Sequence, residues 1–216
     1  MQTLGWSLIL SIVLCVFYVK VFLPRYKGKY TEEGSAEALP PYMLVIGFAL
    51  ATMVFILVIT RGGEGAYLAG NLFVAAILLI ISAIDLNFRK IPNELVLIIS
   101  LPAVFFWING TGHILEALIG GVLASFLLIA AKLLRGRVGA GDIKLMFSVG
   151  FYLGMWLAVG FFVVTFALAA FVSAVLLFLE KATRKEEVPL APFATVSFAL
   201  IVCFDIIFME YWRIIL

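Results

Sequence analysis

Residues 65–84 read GAYLAGNLFVAAILLIISAI, a stretch without a single Lys, Arg, Asp or Glu. An α-helix rises about 1.5 Å per residue, so a helix of this length matches the roughly 30 Å hydrocarbon core of a bilayer. Further stretches without these charged residues follow the same pattern, at 1–19, 38–60, 95–115, 145–179 and 188–204. The pattern predicts an all-α protein, a polytopic bundle of transmembrane helices.

The composition of the 216-residue chain supports this prediction. Hydrophobic residues make up 65% and charged residues only 13%, whereas a soluble domain carries about 25% charged residues. We therefore expect residues 1–216 to form a single transmembrane domain with no separate soluble part. Residues 1–19 lack the basic start and the cleavage site of a signal peptide, so we interpret them as the first span.

About eight membrane segments account for the apolar stretches. The stretch 143–179 has 37 residues, too many for one span of about 17–25 residues, and Gly150, Gly154 and Gly160 are candidate break points. The predicted spans are 4–23, 42–60, 66–84, 92–108, 113–134, 143–159, 161–179 and 191–211. With the N-terminus outside, the basic clusters fall in the inside loops, as the positive-inside rule requires. These clusters are Arg25, Lys27 and Lys29; Arg89 and Lys90; Arg135 and Arg137; and Lys181, Arg184 and Lys185.

The chain has three aspartates, and the topology brings two of them to one membrane face. Asp85 follows span 3, and Asp142 precedes span 6, both on the inside. Asp205 is about 20 Å further along the last span, in the opposite half of the membrane. Two neighbouring carboxyl groups cannot both ionise easily, so one can hold a proton while the other activates water. The pattern therefore indicates an aspartate pair that could hydrolyse a peptide bond.

Two glycines, Gly139 and Gly141, precede Asp142 closely. Glycine allows a tight turn and the close approach of another chain, as a substrate strand would need. Each aspartate also has a structural interpretation. Asp142 could cap a helix that begins at Ile143, and Asp85 could pair with Arg89 four residues later.

Three segments together resemble the type IV prepilin and preflagellin peptidase family. Residues 85–93, DLNFRKIPN, are similar to the family's first-aspartate region, and residues 139–145, GAGDIKL, to its GxGD motif. Residues 189–193, PLAPF, resemble its Pro-Phe-Gly-Pro-Phe segment, although Leu190 and Ala191 depart from the central Phe-Gly. The resemblance covers about 74–200, which we expect to be the motif-bearing core.

The resemblance implies an aspartic endopeptidase in the cytoplasmic membrane, with Asp85 and Asp142 as the catalytic residues on the cytoplasmic side. Its implied partner is a prepilin-like or preflagellin-like precursor, with a basic leader joined to a hydrophobic helix. Membrane lipids are the other expected partner, and no nucleic acid is expected. The residues that we expect to support the site are Gly139, Gly141, Lys144, Arg89, Lys90, Pro92 and Asn93.

No metal or cofactor is expected, because one His and two distant Cys cannot build a zinc site. Related bifunctional enzymes also N-methylate the new terminus and often carry a four-cysteine zinc motif in a large first loop. The first loop here, 24–41, contains no Cys, so we predict peptidase activity without methylation. We also predict that the two carboxyls lie beyond hydrogen-bond reach of each other until substrate binds.

Three alternatives remain at this point. A presenilin-like or signal-peptide-peptidase-like enzyme would have Tyr before its first Asp, where this chain has Ile84. A small transporter with proton-relay or ion-binding carboxylates should show paired half-sequences, and the sequence contains no internal repeat. A structural subunit of a secretion or pilus assembly would tolerate Asp→Asn at both positions.

Overall fold

The computed structural model describes residues 13, 51–56, 58–60, 65–109, 113–135, 139–178 and 189–215. These ranges are helical apart from short connections, and they contain no strand. Apart from residue 13, the predicted span 4–23 lies outside these ranges, as do the first loop 24–41 and residues 180–187, which hold the last basic cluster. A helical segment, Ala51–Thr60, represents the second predicted span. The described part of the chain thus confirms the all-α prediction.

Helix α1, Gly65–Phe88, contains the apolar stretch from which the fold was predicted. The predicted end of this span at Ile84 is wrong, because the helix continues through Asp85 for another turn. It ends where Arg89 adopts the left-handed conformation, with φ of 50°, and donates its N–H to the Asp85 carbonyl at 2.8 Å. A left-handed residue of this kind is a common helix terminator. Asp85 therefore lies inside the last turn of α1.

The predicted span 92–108 corresponds to an apolar helical segment, Asn93–Ile108, that a turn at Ser100 divides. It consists of α2, Asn93–Ile99, and α3, Leu101–Ile108, which meet at Ser100. Pro102 explains the break, because it has no N–H to donate to the carbonyl one turn earlier. The Ser100 N–H bonds to Leu97 over a tighter turn, at 3.1 Å.

The remaining helices are α4, Ile114–Arg135, α5, Ala140–Phe178, and α6, Ala191–Ile215. The break predicted within 143–179 is confirmed at one of the three candidate glycines. Gly154 has φ of 76° and ψ of 177°, a conformation open only to glycine. The predicted boundary near 160 is therefore several residues too late.

Three of these helical segments are long and apolar enough to cross a membrane: α1, residues 114–133 of α4, and α5. Shorter apolar helices cover 93–108 and 191–204. The count of eight membrane segments stays a prediction.

The buried core lies mainly between the segment Ala51–Thr60, α1, α2, α5 and α6, and α4 contributes Ala124 and Leu128. Its largest fully buried side chains include Leu78, Ile81, Ile99, Met146 and Phe198. A separate contact joins α4 to α5 through glycines. A Cβ added at Gly120 would clash with the Gly150 carbonyl oxygen and would lie 2.6 Å from the Gly154 carbonyl carbon. The backbones of α4 and α5 therefore touch, in the way that small residues permit between membrane helices.

Gly120→Ala should destabilise the protein by about 2 kcal/mol or more, because the new methyl group meets backbone atoms that cannot rotate away. Thermal unfolding in detergent measures the effect. Val122→Leu is the matched control, because it adds one carbon to the same helix at a side chain that is 51% exposed. Equal melting temperatures for Gly120→Ala and wild type would contradict the close helix contact.

Candidate functional site

Asp85 is held in a buried position by the start of another helix. Its side chain is only 5% exposed, and its Oδ2 accepts a hydrogen bond from the Ala191 backbone N–H at 3.1 Å. The backbone of Leu190 also interacts with this carboxyl group. The first amides of a helix have no partner within the helix, and they favour a negative charge. The N-terminus of α6 therefore provides the binding partner that the buried Asp85 carboxyl requires.

Sequence reasoning missed this role of Leu190 and Ala191. They are the two positions at which the segment 189–193 departs from the family pattern. Their contribution comes from backbone N–H groups, which depend little on side-chain identity. The signal that could have identified them is the pair Pro189 and Pro192, since proline often flanks a helix start.

Asp142 lies in the first turn of α5 and is half-buried. The prediction that it caps a helix beginning at Ile143 is wrong, because α5 begins three residues earlier, at Ala140. The Asp142 carboxyl instead folds back over Gly139, where an added Cβ would lie 2.8 Å from Oδ2. An acidic side chain in the first turn is stabilised by the helix dipole.

The two aspartate motifs are in contact, although about fifty residues separate them in the chain. A Cβ added at Gly141 would lie 3.0 Å from the Ile91 Cβ. One turn along α5, the Lys144 ammonium donates a hydrogen bond to Asn93 Oδ1 at 3.0 Å. The start of α5 therefore packs against the connection between α1 and α2. This contact brings the end of the helix that carries Asp85 next to the start of the helix that carries Asp142.

The other predicted supporting residues lie in the same connection. Arg89 is exposed and has left the helix, but its charge still acts on the Asp85 carboxyl. Lys90 is half-buried, whereas Pro92 is buried and occupies the position just before α2. The predicted start of this span at Pro92 is thus within one residue of the observed helix.

No group of three potential metal ligands occurs among the described residues. A cavity of about 310 Å³ lies between α1, α3, α4 and α5, and its lining includes Tyr67, Trp107, His113, Glu116 and Tyr152. Tyr67 is eighteen residues before Asp85 on α1, hence about 27 Å away by helical rise. The cavity is therefore separate from the aspartate motifs.

Residues 72–178, which include both aspartate motifs, match the model of the type IV leader peptidase family. This matched part of the chain belongs to the family. The chain is also 30% identical over 120 residues to the prepilin leader peptidase/N-methyltransferase of Bacillus subtilis (strain 168). That similarity covers 54% of this chain and 48% of the relative, so the chain spans about half the relative's length. No solved structure matches the present chain. Its apolar helices and its family identify it as a membrane protein.

Cysteines placed at Ile91 and Gly141 should form a disulfide rapidly under mild oxidation, because the two Cβ positions are adjacent. The test uses a variant in which both native cysteines are replaced, by Cys15→Ser and Cys203→Ser. The chain is then cut between residues 91 and 141, and a disulfide keeps the two fragments together on a non-reducing gel. The pair Ile91→Cys and Ala140→Cys is the matched control, since Ala140 is the exposed neighbour of Gly141. Equal cross-linking rates for both pairs would contradict the contact between the motifs.

Proposed function

We propose that this protein is a membrane-embedded aspartic endopeptidase that removes the short basic leader from prepilin-like or preflagellin-like precursors. The observation that carries the proposal is the contact of the two aspartate motifs, at Ile91 with Gly141 and at Asn93 with Lys144. This contact supports a shared site for Asp85 and Asp142 at one end of the helix bundle. The family match and the relative's name support the choice of substrate class.

The proposed reaction uses the two carboxyls as a coupled acid and base. The ionised carboxyl takes a proton from a water molecule, whose oxygen attacks the carbonyl carbon of the scissile peptide bond. The protonated carboxyl hydrogen-bonds the carbonyl oxygen, and a proton then passes to the leaving amine as the C–N bond breaks. Because the carboxyls titrate as a pair, neither role belongs to one residue alone.

Unequal burial of the two aspartates suits this chemistry. Asp85 is buried and fixed by the Ala191 amide, whereas Asp142 is half-buried beside the exposed Gly139 and Ala140. The Asp85 carboxyl is fixed and the Asp142 carboxyl is more accessible, so water and a substrate strand can reach the site from the Asp142 side. Gly139 has no side chain over the Asp142 carboxyl, so a substrate backbone can approach it closely.

The site lies at helix ends and not in the middle of the bundle. Asp85 is in the last turn of α1, and Asp142 is in the first turn of α5. A precursor whose hydrophobic helix lies in the membrane would present its leader junction at this depth. The described residues at this end include the basic side chains Arg89, Lys90, Lys132 and Lys144. This concentration of Lys and Arg side chains supports the cytoplasmic face as the location of the site.

Asp85→Asn and Asp142→Asn should each lower cleavage by about 10²- to 10⁴-fold, because each removes an acid or base from the reaction. The assay follows leader removal from a prepilin-like precursor in detergent, after each variant has been shown to fold. Asp205→Asn is the matched control and should retain activity, since Asp205 is the chain's other aspartate. Near-normal cleavage by either site variant would contradict the proposed dyad. Wild type that cleaves no leader would favour a transporter or scaffold role.

The cleaved product should keep a free, unmethylated N-terminus even when S-adenosylmethionine is supplied. The reason is the absence of Cys from the first loop, 24–41, where related bifunctional enzymes often carry a zinc motif. Mass spectrometry of the product measures this outcome. A methylated terminus would contradict the prediction without affecting the peptidase assignment.

A further inference from the structure

A pair of hydroxyl groups joins α1 to α6 one helical turn from the Asp85–Ala191 hydrogen bond. Ser82 precedes Asp85 by three residues on α1, and Thr195 follows Ala191 by four residues on α6. Residues three or four apart share one face of a helix. Ser82 Oγ and Thr195 Oγ1 are 2.6 Å apart. The two helices therefore run antiparallel here and are joined at two successive turns.

Both hydroxyls are deeply buried, with Ser82 3% exposed and Thr195 0% exposed. Ser82 Oγ also lies 2.8 Å from the Leu78 carbonyl oxygen. Thr195 Oγ1 lies 3.0 Å from the Ala191 carbonyl oxygen and 3.2 Å from that of Leu78. Each hydroxyl has one proton to donate. One hydroxyl can therefore donate to the other, while the second donates to a backbone carbonyl.

This bridge acts on the residue that binds Asp85. Thr195 contacts the carbonyl of Ala191, and the N–H of the same residue donates to the Asp85 carboxyl. The bridge also contacts α1 at Leu78, one turn before Ser82. It therefore opposes sliding of α6 along α1, a motion that would separate the Ala191 N–H from Asp85.

Two other fully buried hydroxyls in the described helices, those of Ser125 and Thr165, bond within their own helix. Ser125 bonds to the Gly121 carbonyl at 2.8 Å within α4, and Thr165 bonds to the Phe161 carbonyl at 2.7 Å within α5. Such bonds within one helix are an ordinary way to satisfy a buried hydroxyl. The Ser82–Thr195 contact differs because it links two helices beside the site.

We propose that Ser82 and Thr195 are positioning residues, which hold the N-terminus of α6 in register so that the Ala191 N–H orients the Asp85 carboxyl. The catalytic part of this inference rests on the proposed peptidase function. The bridge touches neither substrate nor reacting atoms, so its loss should affect the chemical step and leave substrate binding largely intact.

Thr195→Val removes the hydroxyl and keeps the shape of the side chain. We expect kcat for leader cleavage to fall about tenfold, the equivalent of one buried hydrogen bond, with KM within about twofold of wild type. Ser82→Ala should behave similarly, and Thr195→Ser should restore most of kcat because it keeps the bridging oxygen. Because the two hydroxyls share one bond, the Ser82→Ala/Thr195→Val double variant should lose less than the product of the two single losses.

Thr165→Val and Ser125→Ala are the matched controls, since they make the same changes at hydroxyls that are equally buried. Their kcat should remain within about twofold of wild type. Equal losses of kcat in the controls and in the bridge variants would overturn the positioning role, as would a Thr195→Ser variant that is no better than Thr195→Val.

A second experiment does not depend on activity. Thermal unfolding of wild type, Asp85→Ala, Thr195→Val and the double variant forms a double-mutant cycle. If the bridge holds α6 against Asp85, the Tm decrease of the double variant should be smaller than the sum of the single decreases. Additive decreases would overturn the proposal. Non-additive decreases in a protein that cleaves no leader would support the bridge and refute the peptidase function.

Discussion

The hydrogen bond from the Ala191 N–H to the Asp85 carboxyl is the constraint on which the site depends. A carboxyl group buried among apolar helices is costly unless a polar group compensates for the lost water. Here the compensating group is the Ala191 N–H at the start of α6, which has no carbonyl partner within its own helix. The same contact fixes α6 against the end of α1, so the need to satisfy one buried acid also sets the relative position of two helices.

A second constraint is steric and acts through glycine. Gly141 allows the start of α5 to lie against Ile91, and Gly120 allows α4 to lie against the α5 backbone around Gly150 and Gly154. The Gly141 contact places the Asp142 segment beside the connection that follows Asp85, and the Gly120 contact fixes α4 against the middle of α5. A larger side chain at Gly141 would separate the elements that carry the two aspartates, and one at Gly120 would separate α4 from α5.

Helix ends and helix breaks account for the features that the proposed chemistry needs. Asp85 precedes the left-handed Arg89, and Asp142 follows the start of α5, so both lie where the backbone leaves regular helix. Unpaired backbone groups and accessible water occur at such ends, whereas the middle of a membrane helix offers neither. A hydrolytic site at the edge of the bundle is therefore easier to build than one at its centre.

The apolar stretches determined by themselves that the described chain is helical and that a break falls within 143–179. The reason is that a membrane span has to match the length and polarity of a bilayer. The motifs around Asp85 and Asp142 likewise predicted which residues belong near the site, because their chemistry depends on side-chain type. Only the tertiary structure decided that Asp85 lies within α1 and that residues 93–108 form two helices. It alone brought the Ala191 amide and the Thr195 hydroxyl to the Asp85 end of α1. Backbone N–H groups are common to nearly all residues, so their partners follow from helix packing and leave almost no trace in the sequence.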